Sequence, residues 1–301
     1  MDNSILYKKF SIGLSLGESI SEIDDLLNEY DKWINSIYFS APLGRKFYSR
    51  AKLTEEYDGN EDKLLTVLRH IKEHQIRLEL TLNTRDLTDD ELASAVLFFR
   101  DNGLNPEEIV CLKGYAGFLR RFCPGCEIKY SFNNHDINIQ HADDNFDNVV
   151  VGKALLREHE KILLLAKRFN ITYMLNNGCS FMCSGNCGAQ NCRTVFGEDV
   201  RINGLDKVYA RSSIFPSELL YILVNWEEAA DFKFKISNRP WGLQFTRRAL
   251  KSYISLKDPI EKMNNDKSYL RVFCATVPIA KQVDNLNVDR ILEYKKSMKQ
   301  M

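Results

Sequence analysis

Two hydrophobic rhythms alternate along the chain from residue 10 to about residue 238. Short runs rich in β-branched and aromatic residues, such as FSIGLSL, RLELTLN and EIKYSFN, are separated by longer segments with apolar residues at every third or fourth position. The first rhythm predicts strands and the second amphipathic helices. Candidate strands occupy 10–16, 36–41, 77–83, 108–112, 127–133, 148–152, 171–175, 207–211 and 232–236. Helical pieces between them include ISEIDDLLNEYDKWI, EDKLLTVLRHIKEH, TDDELASAVLFFRDNG and REHEKILLLAKRF. Asp89 and Asp90 open one of these helices and Gly103 follows its end, as capping favours.

Alternating strands and helices predict parallel strands joined by helical crossovers, an α/β fold. About eight such units in roughly 250 residues is the length of a (β/α)8 TIM-type barrel, here with room for irregular units. An open doubly wound sheet is the alternative, but no G-x-G-x-x-G follows the first strand. The expected organisation is a barrel domain over 1–256, carrying a cysteine loop at 176–193, and a C-terminal appendage over 257–301 packed on the barrel. Strand C-terminal ends and the loops after them converge on one mouth of a barrel, where active sites sit. Those positions hold Ser40, Asn83, Lys113, Asn133, Asn134, His135, Lys153, Asn176, Asn177, Arg211, Lys235 and Arg239, a polar set whose charged members are all cationic.

The 301 residues carry 41 Lys and Arg against 41 Asp and Glu, so overall charge gives no drive toward nucleic acid or an anionic membrane. RHIKEHQIR and FTRRALKSY are basic on one side, which solvated helix faces explain as well as RNA does. The N-terminus fits neither a signal nor a transit peptide, and no apolar run is long enough for a membrane span. These features predict a cytoplasmic protein without membrane insertion. Thiols stay reduced there, so eight cysteines point to metal or redox chemistry rather than a disulfide framework.

Half of those cysteines crowd into NNGCSFMCSGNCGAQNC. Cys179, Cys183, Cys187 and Cys192 are spaced Cys-x3-Cys-x3-Cys-x4-Cys, with glycines between them that let several sulfurs face one point. Four thiolates suit an iron-sulfur cluster, with 4Fe-4S favoured, or zinc; unliganded cysteines in a loop are the bland alternative. The compact run lacks the two separated ligand pairs of a structural zinc site and misses the radical S-adenosylmethionine spacing by one residue. Cys123 and Cys126 form C-P-G-C without a thioredoxin-like context, and Cys111 and Cys274 sit in apolar runs as small hydrophobes.

Two segments resemble a known family. ITYMLNNGCSFMC is similar to the strand followed by Asn-Glu-Gly-Cys-x3-Cys in the collagenase-like peptidase superfamily, peptidase family U thirty-two. Downstream, FKFKISNRPWGLQFTRRALKSYI resembles that superfamily's strand ending in Lys-hydrophobic-x-Gly-Arg, followed by a helix and a tyrosine, here Tyr253. GNCGAQNCR adds a third likeness, one residue longer than the family's segment. Asn177 stands where the family has an acidic residue, and Asn238 where it has the glycine before Arg239. The resemblance spans roughly residues 10–255 and implies a TIM-type barrel. It also implies an iron-sulfur centre in members that serve as hydroxylation factors for RNA bases or ubiquinone synthesis, while others are called peptidases.

The resulting expectation is an iron-sulfur barrel enzyme, or a subunit of one with a homologous partner, that modifies a small molecule, peptide or RNA base. Cys179, Cys183, Cys187 and Cys192 would hold the metal, while Lys235, Arg239 and Asn177 would bind substrate, the two cations gripping an anionic group. The alternatives are a peptidase or other hydrolase, and a partner subunit with a structural metal. Hydrolysis has thin support: no H-E-x-x-H or G-x-S-x-G occurs, and the nearest candidate base is His135 beside Asp136.

Overall fold

The computed structural model describes residues 5–48, 56–132, 139–152, 155–156, 158–176, 214, 216–237, 242–258 and 260. Eight parallel strands close into a barrel in sequence order: β1 Phe10–Gly13, β2 Ile34–Phe39, β3 Arg77–Leu82, β4 Glu108–Cys111, β5 Glu127–Ser131, β6 Asn148–Val151, β7 Asn170–Asn176 and β8 Lys233–Ile236. Closure is made by β8 pairing with β1, where Lys235 lies opposite Ser11. Among the described residues seven helices alternate with them: α1 Ile20–Tyr30, α2 Glu61–Glu73, α3 Asp89–Asp101, α4 Lys113–Phe122, α5 His159–Ala166, α6 Pro216–Asn225 and α7 Gly242–Ile254. Between β5 and β6 the described residues hold only a 3-10 turn, Ile139–His141, so that unit departs from the regular βα pattern. The candidate strand at 207–211 and the expected appendage beyond residue 260 lie outside the described residues.

The eight matching strands differ from the predicted ones mainly at their ends. Residues 14–16 leave the sheet after Leu14 donates its N–H to Tyr38 O at 3.1 Å. The helical pattern running to Ile34 is cut at Tyr30, because Trp33 and Ile34 are buried as β2 begins. A helix cannot continue into a strand that a barrel neighbour has already paired, so tertiary pairing overrides local periodicity.

Most of the strands' apolar residues face the helices, while Tyr38, Val110 and Val150 are buried outside that layer. Ile12, Leu80, Ile109 and Val149 pack with Leu26, Leu68, Val96 and Leu119 in one continuous buried layer between sheet and helices. Capping holds that outer layer in place. Thr88 accepts the Glu91 N–H on its Oγ1 while Glu91 reaches back to the Thr88 N–H at 2.7 Å, satisfying two donors that a helix start leaves open. At the other end Gly103 has φ +74, the left-handed conformation that lets the chain turn off α3. Thr88→Ala removes one half of the box and should lower stability by about 1 kcal/mol, read as a shift in the denaturant midpoint with an unchanged slope.

Candidate functional site

The inward side of the strands is charged. RLELTL, EIKYS and KFKI each place a polar or charged residue at every second position, and alternation sends those residues into the barrel while the apolar ones face outward. Barrels usually fill this space with branched apolar layers. Here all eight strands contribute to one connected polar network.

Its centre is Lys129 on β5, fully buried, whose Nζ lies 2.9 Å from Glu79 Oε2 of β3 and also bonds Glu108 of β4. Lys235 of β8 bonds the other oxygen of Glu79. Ser36 of β2 donates to Ser11 Oγ of β1 at 2.9 Å, and Ser11 donates to Glu79 at 3.3 Å. Toward the strand N-termini, Arg77 Nη1 sits 2.8 Å from Glu108 and 3.2 Å from Glu127, and Lys233 Nζ sits 3.0 Å from Glu127. Asn148 of β6 donates to Glu127 at 3.0 Å and accepts from Thr172 of β7 at 2.9 Å.

Burial alone pushes the Glu79 carboxyl up, but the Lys129 and Lys235 ammoniums together outweigh it and hold it below the usual glutamate value. Glu108 behaves alike: burial raises it, and Lys129, Lys233 and Arg77 pull it well below the ordinary range. Lys129 answers in the opposite direction, its burial more than reversed by Glu79 and Glu108. Four cations face three carboxylates among these residues. Arg77, Glu108, Glu127 and Lys233 each open their strand, which puts most of this network at the barrel floor, the end concerned with stability rather than chemistry.

The mouth is different in kind. Tyr38 donates its hydroxyl to Ile236 O at 3.0 Å, and Lys235 Nζ stands 4.0 Å from the centre of the Tyr38 ring, a cation–π contact. Further toward the strand C-termini, Ser40 Oγ, Thr81 Oγ1, Asn83 Oδ1 and Thr84 Oγ1 are buried without a hydrogen-bond partner among the described residues. Asn83 Nδ2 reaches Ser131 Oγ of β5 at 3.5 Å. Buried polar atoms cost free energy when unpaired, so such a group marks a place where a ligand or water belongs. The positive end of α7 is already met: Gly242, at φ +78, brings the Leu243 N–H within 3.0 Å of the Glu18 carboxylate.

Of the residues expected at the mouth, Ser40 and Asn83 belong to this unpartnered group. Lys235 is buried and tied to Glu79, and Lys113 is exposed at the first turn of α4. Asn176 closes β7. Asn133, Asn134, His135, Lys153, Asn177, Arg211, Arg239 and the four cysteines Cys179, Cys183, Cys187 and Cys192 lie outside the described residues. Cys111 is buried on β4 and burial pushes its thiol up. Cys123 and Cys126 lie at the end of α4, away from the mouth, where Cys126 Sγ donates to Pro106 O at 3.0 Å. The sequence reading missed Glu79, Glu108, Glu127, Lys129 and Thr81. The signal that could have found them is charge at alternate positions of strands whose two faces are both enclosed.

No family model matches the chain, and no curated protein does. Among solved structures, a U32 peptidase is similar at TM-score 0.46 and 10% identity, covering 79% of this chain and 95% of its own. The 7,8-dihydropteroate synthase of Vibrio fischeri is similar at 0.47 and 8%, covering 86% and 95%. The 3-keto-L-gulonate-6-phosphate decarboxylase of Vibrio cholerae is similar at 0.46 and 10%, covering 84% and 99%. At these scores no residue's role passes from them to this chain. None of the described helices is long and apolar enough to cross a membrane.

Removing Lys129 takes a cation from each of two buried carboxylates, so Lys129→Met should cost about 3–5 kcal/mol, measured by chemical denaturation. Glu79 and Glu108 titrate lower in the folded chain than in the unfolded one. Their contribution is therefore complete at neutral pH, begins to fall as pH drops below about 4.3, and is lost as pH passes their folded values. A wild-type stability curve flat from pH 7 to pH 3 would contradict this.

Proposed function

We propose that the protein is an iron-sulfur barrel enzyme, or an enzyme subunit, acting on its substrate at the C-terminal mouth of the barrel. The observation that carries this reading is the group of buried, partnerless oxygens on Ser40, Thr81, Asn83 and Thr84, which sits where barrels do their chemistry. Cys179 follows the last residue of β7 by three positions, and β7 ends at that same face.

The donor set fits the group. Cys179, Cys183, Cys187 and Cys192 offer four soft thiolates, the ligands an iron-sulfur cluster takes, and glycines between them permit the tight turns such ligation needs. A bound cluster would supply one-electron transfer. The chain's own residues would do the rest: Ser40, Thr81, Asn83 and Thr84 orient a polar substrate by hydrogen bonds, and Asn177 and Arg239 add contacts from the loops after β7 and β8. Lys235 acts from below, fixing Tyr38 and Glu79 beneath the substrate rather than carrying a free charge to it. The substrate class is a small molecule, a peptide or an RNA base, and the chemistry hydroxylation or a related redox modification.

Anaerobic purification followed by iron, sulfide and zinc analysis tests the proposal. Wild-type protein should carry iron and sulfide in equal amounts with visible absorption, and Cys→Ala changes at 179, 183 and 187 should bring both to background. Zinc alone, or no metal, would overturn it.

A further inference from the structure

The outer helical layer holds a second cluster of ligand-type side chains, far in chemistry from the four cysteines. His70 and His74 stand four residues apart on α2 and its C-cap, a spacing that stacks two side chains on one helix face. Their rings lie 5.4 Å apart, edge to face. Asp24, on the neighbouring α1, points between them: its Oδ1 bonds His70 Nε2 and lies 3.4 Å from His74 Nε2. The three donor atoms fall within 4.8 Å of one another, and all three residues are half-buried, so the site is built yet open to solvent.

The geometry of this arrangement suits a cation. His70 Nδ1 lies 3.2 Å from Glu73 Oε2, and the Nε2 atoms of His70 and His74 converge on the same Asp24 oxygen. One divalent ion can take a nitrogen from each ring and an oxygen from the carboxylate.

We infer that Asp24, His70 and His74 bind a first-row divalent metal ion, zinc above all, joining α1 to α2 on the outside of the barrel. Two imidazoles and a carboxylate are a three-ligand zinc set, and water completes the tetrahedron. Glu73 plays the outer-shell part, orienting His70 by accepting its other N–H, as carboxylates commonly do behind metal-bound histidines. The ion's effect here is to clamp two helices, since Leu26, Leu27, Leu64 and Leu68 of the same pair face the core beneath it. Nothing in this inference depends on the cysteine loop.

Zinc titration of the full chain, read by equilibrium dialysis and metal analysis, tests it. Because cysteines also bind zinc, the informative quantity is the difference between wild type and the double variant His70→Ala, His74→Ala. Wild type should bind one more zinc ion per chain. Asp24→Asn, which preserves shape, should weaken that ion at least about 10-fold with an unchanged circular dichroism spectrum, and Glu73→Gln by a similar factor. Cobalt(II) gives a second readout, because thiolate-bound cobalt shows a charge-transfer band and this site should fill without one. Equal zinc stoichiometry and affinity in wild type and both classes of variant would overturn the inference.

Discussion

Everything inside this barrel depends on Lys129. A lysine and two glutamates with no access to water would be ruinous separately, because each loses its hydration. Together they are tolerable only if the geometry is complete: Lys129 between Glu79 and Glu108, Glu79 also held by Lys235 and Ser11, Glu108 also met by Arg77, Lys233 and Asn35. That requirement constrains the register of β3, β4, β5 and β8 at once. A slip of one residue in any of them would turn charge toward the helices and leave a carboxylate unpaired. The network is weak evidence for raw stability and better understood as a device that admits one arrangement of strands.

The same division of labour runs along the barrel axis. The floor is ionic and self-satisfied, with Arg77, Glu127 and Lys233 partly exposed where the strands begin. The upper half is polar and incomplete, with the Ser40, Thr81 and Thr84 hydroxyls and Asn83 Oδ1 lacking partners among the described residues. A rigid, saturated floor holds unsatisfied groups at the other end in fixed positions, which is what binding and catalysis ask of a scaffold. Lys235 joins the two halves, bonded to Glu79 below and stacked on Tyr38 beside it.

The outer layer follows ordinary rules and is correspondingly easy to read. Thr88 and Glu91 cap α3, Ser19 and Glu22 cap α1, and apolar stripes on both helices cover the outward faces of the strands. Among its described residues an unusual feature is the Asp24, His70 and His74 convergence, where polar groups meet on a surface that packing alone would not have required to be so arranged.

Much of the fold was legible in the chain because its causes are local. Period-two apolar runs, helical stripes, Gly103 and the acidic start of α3 each act over a few residues, and together they imply parallel strands with helical crossovers. Ser40 and Asn83 were reachable by counting to the ends of strands. The charged interior was not, because Glu79, Glu108, Lys129 and Lys235 stand 21 to 156 residues from the partners they bond, and nothing local says which face of a strand will be enclosed. Asp24 and His70 are likewise 46 residues apart and meet only when α1 packs on α2. The sequence by itself determined the elements and their order; closure of the barrel decided which side chains became neighbours, since burial turns a charge from a surface ornament into a group that must find its partner.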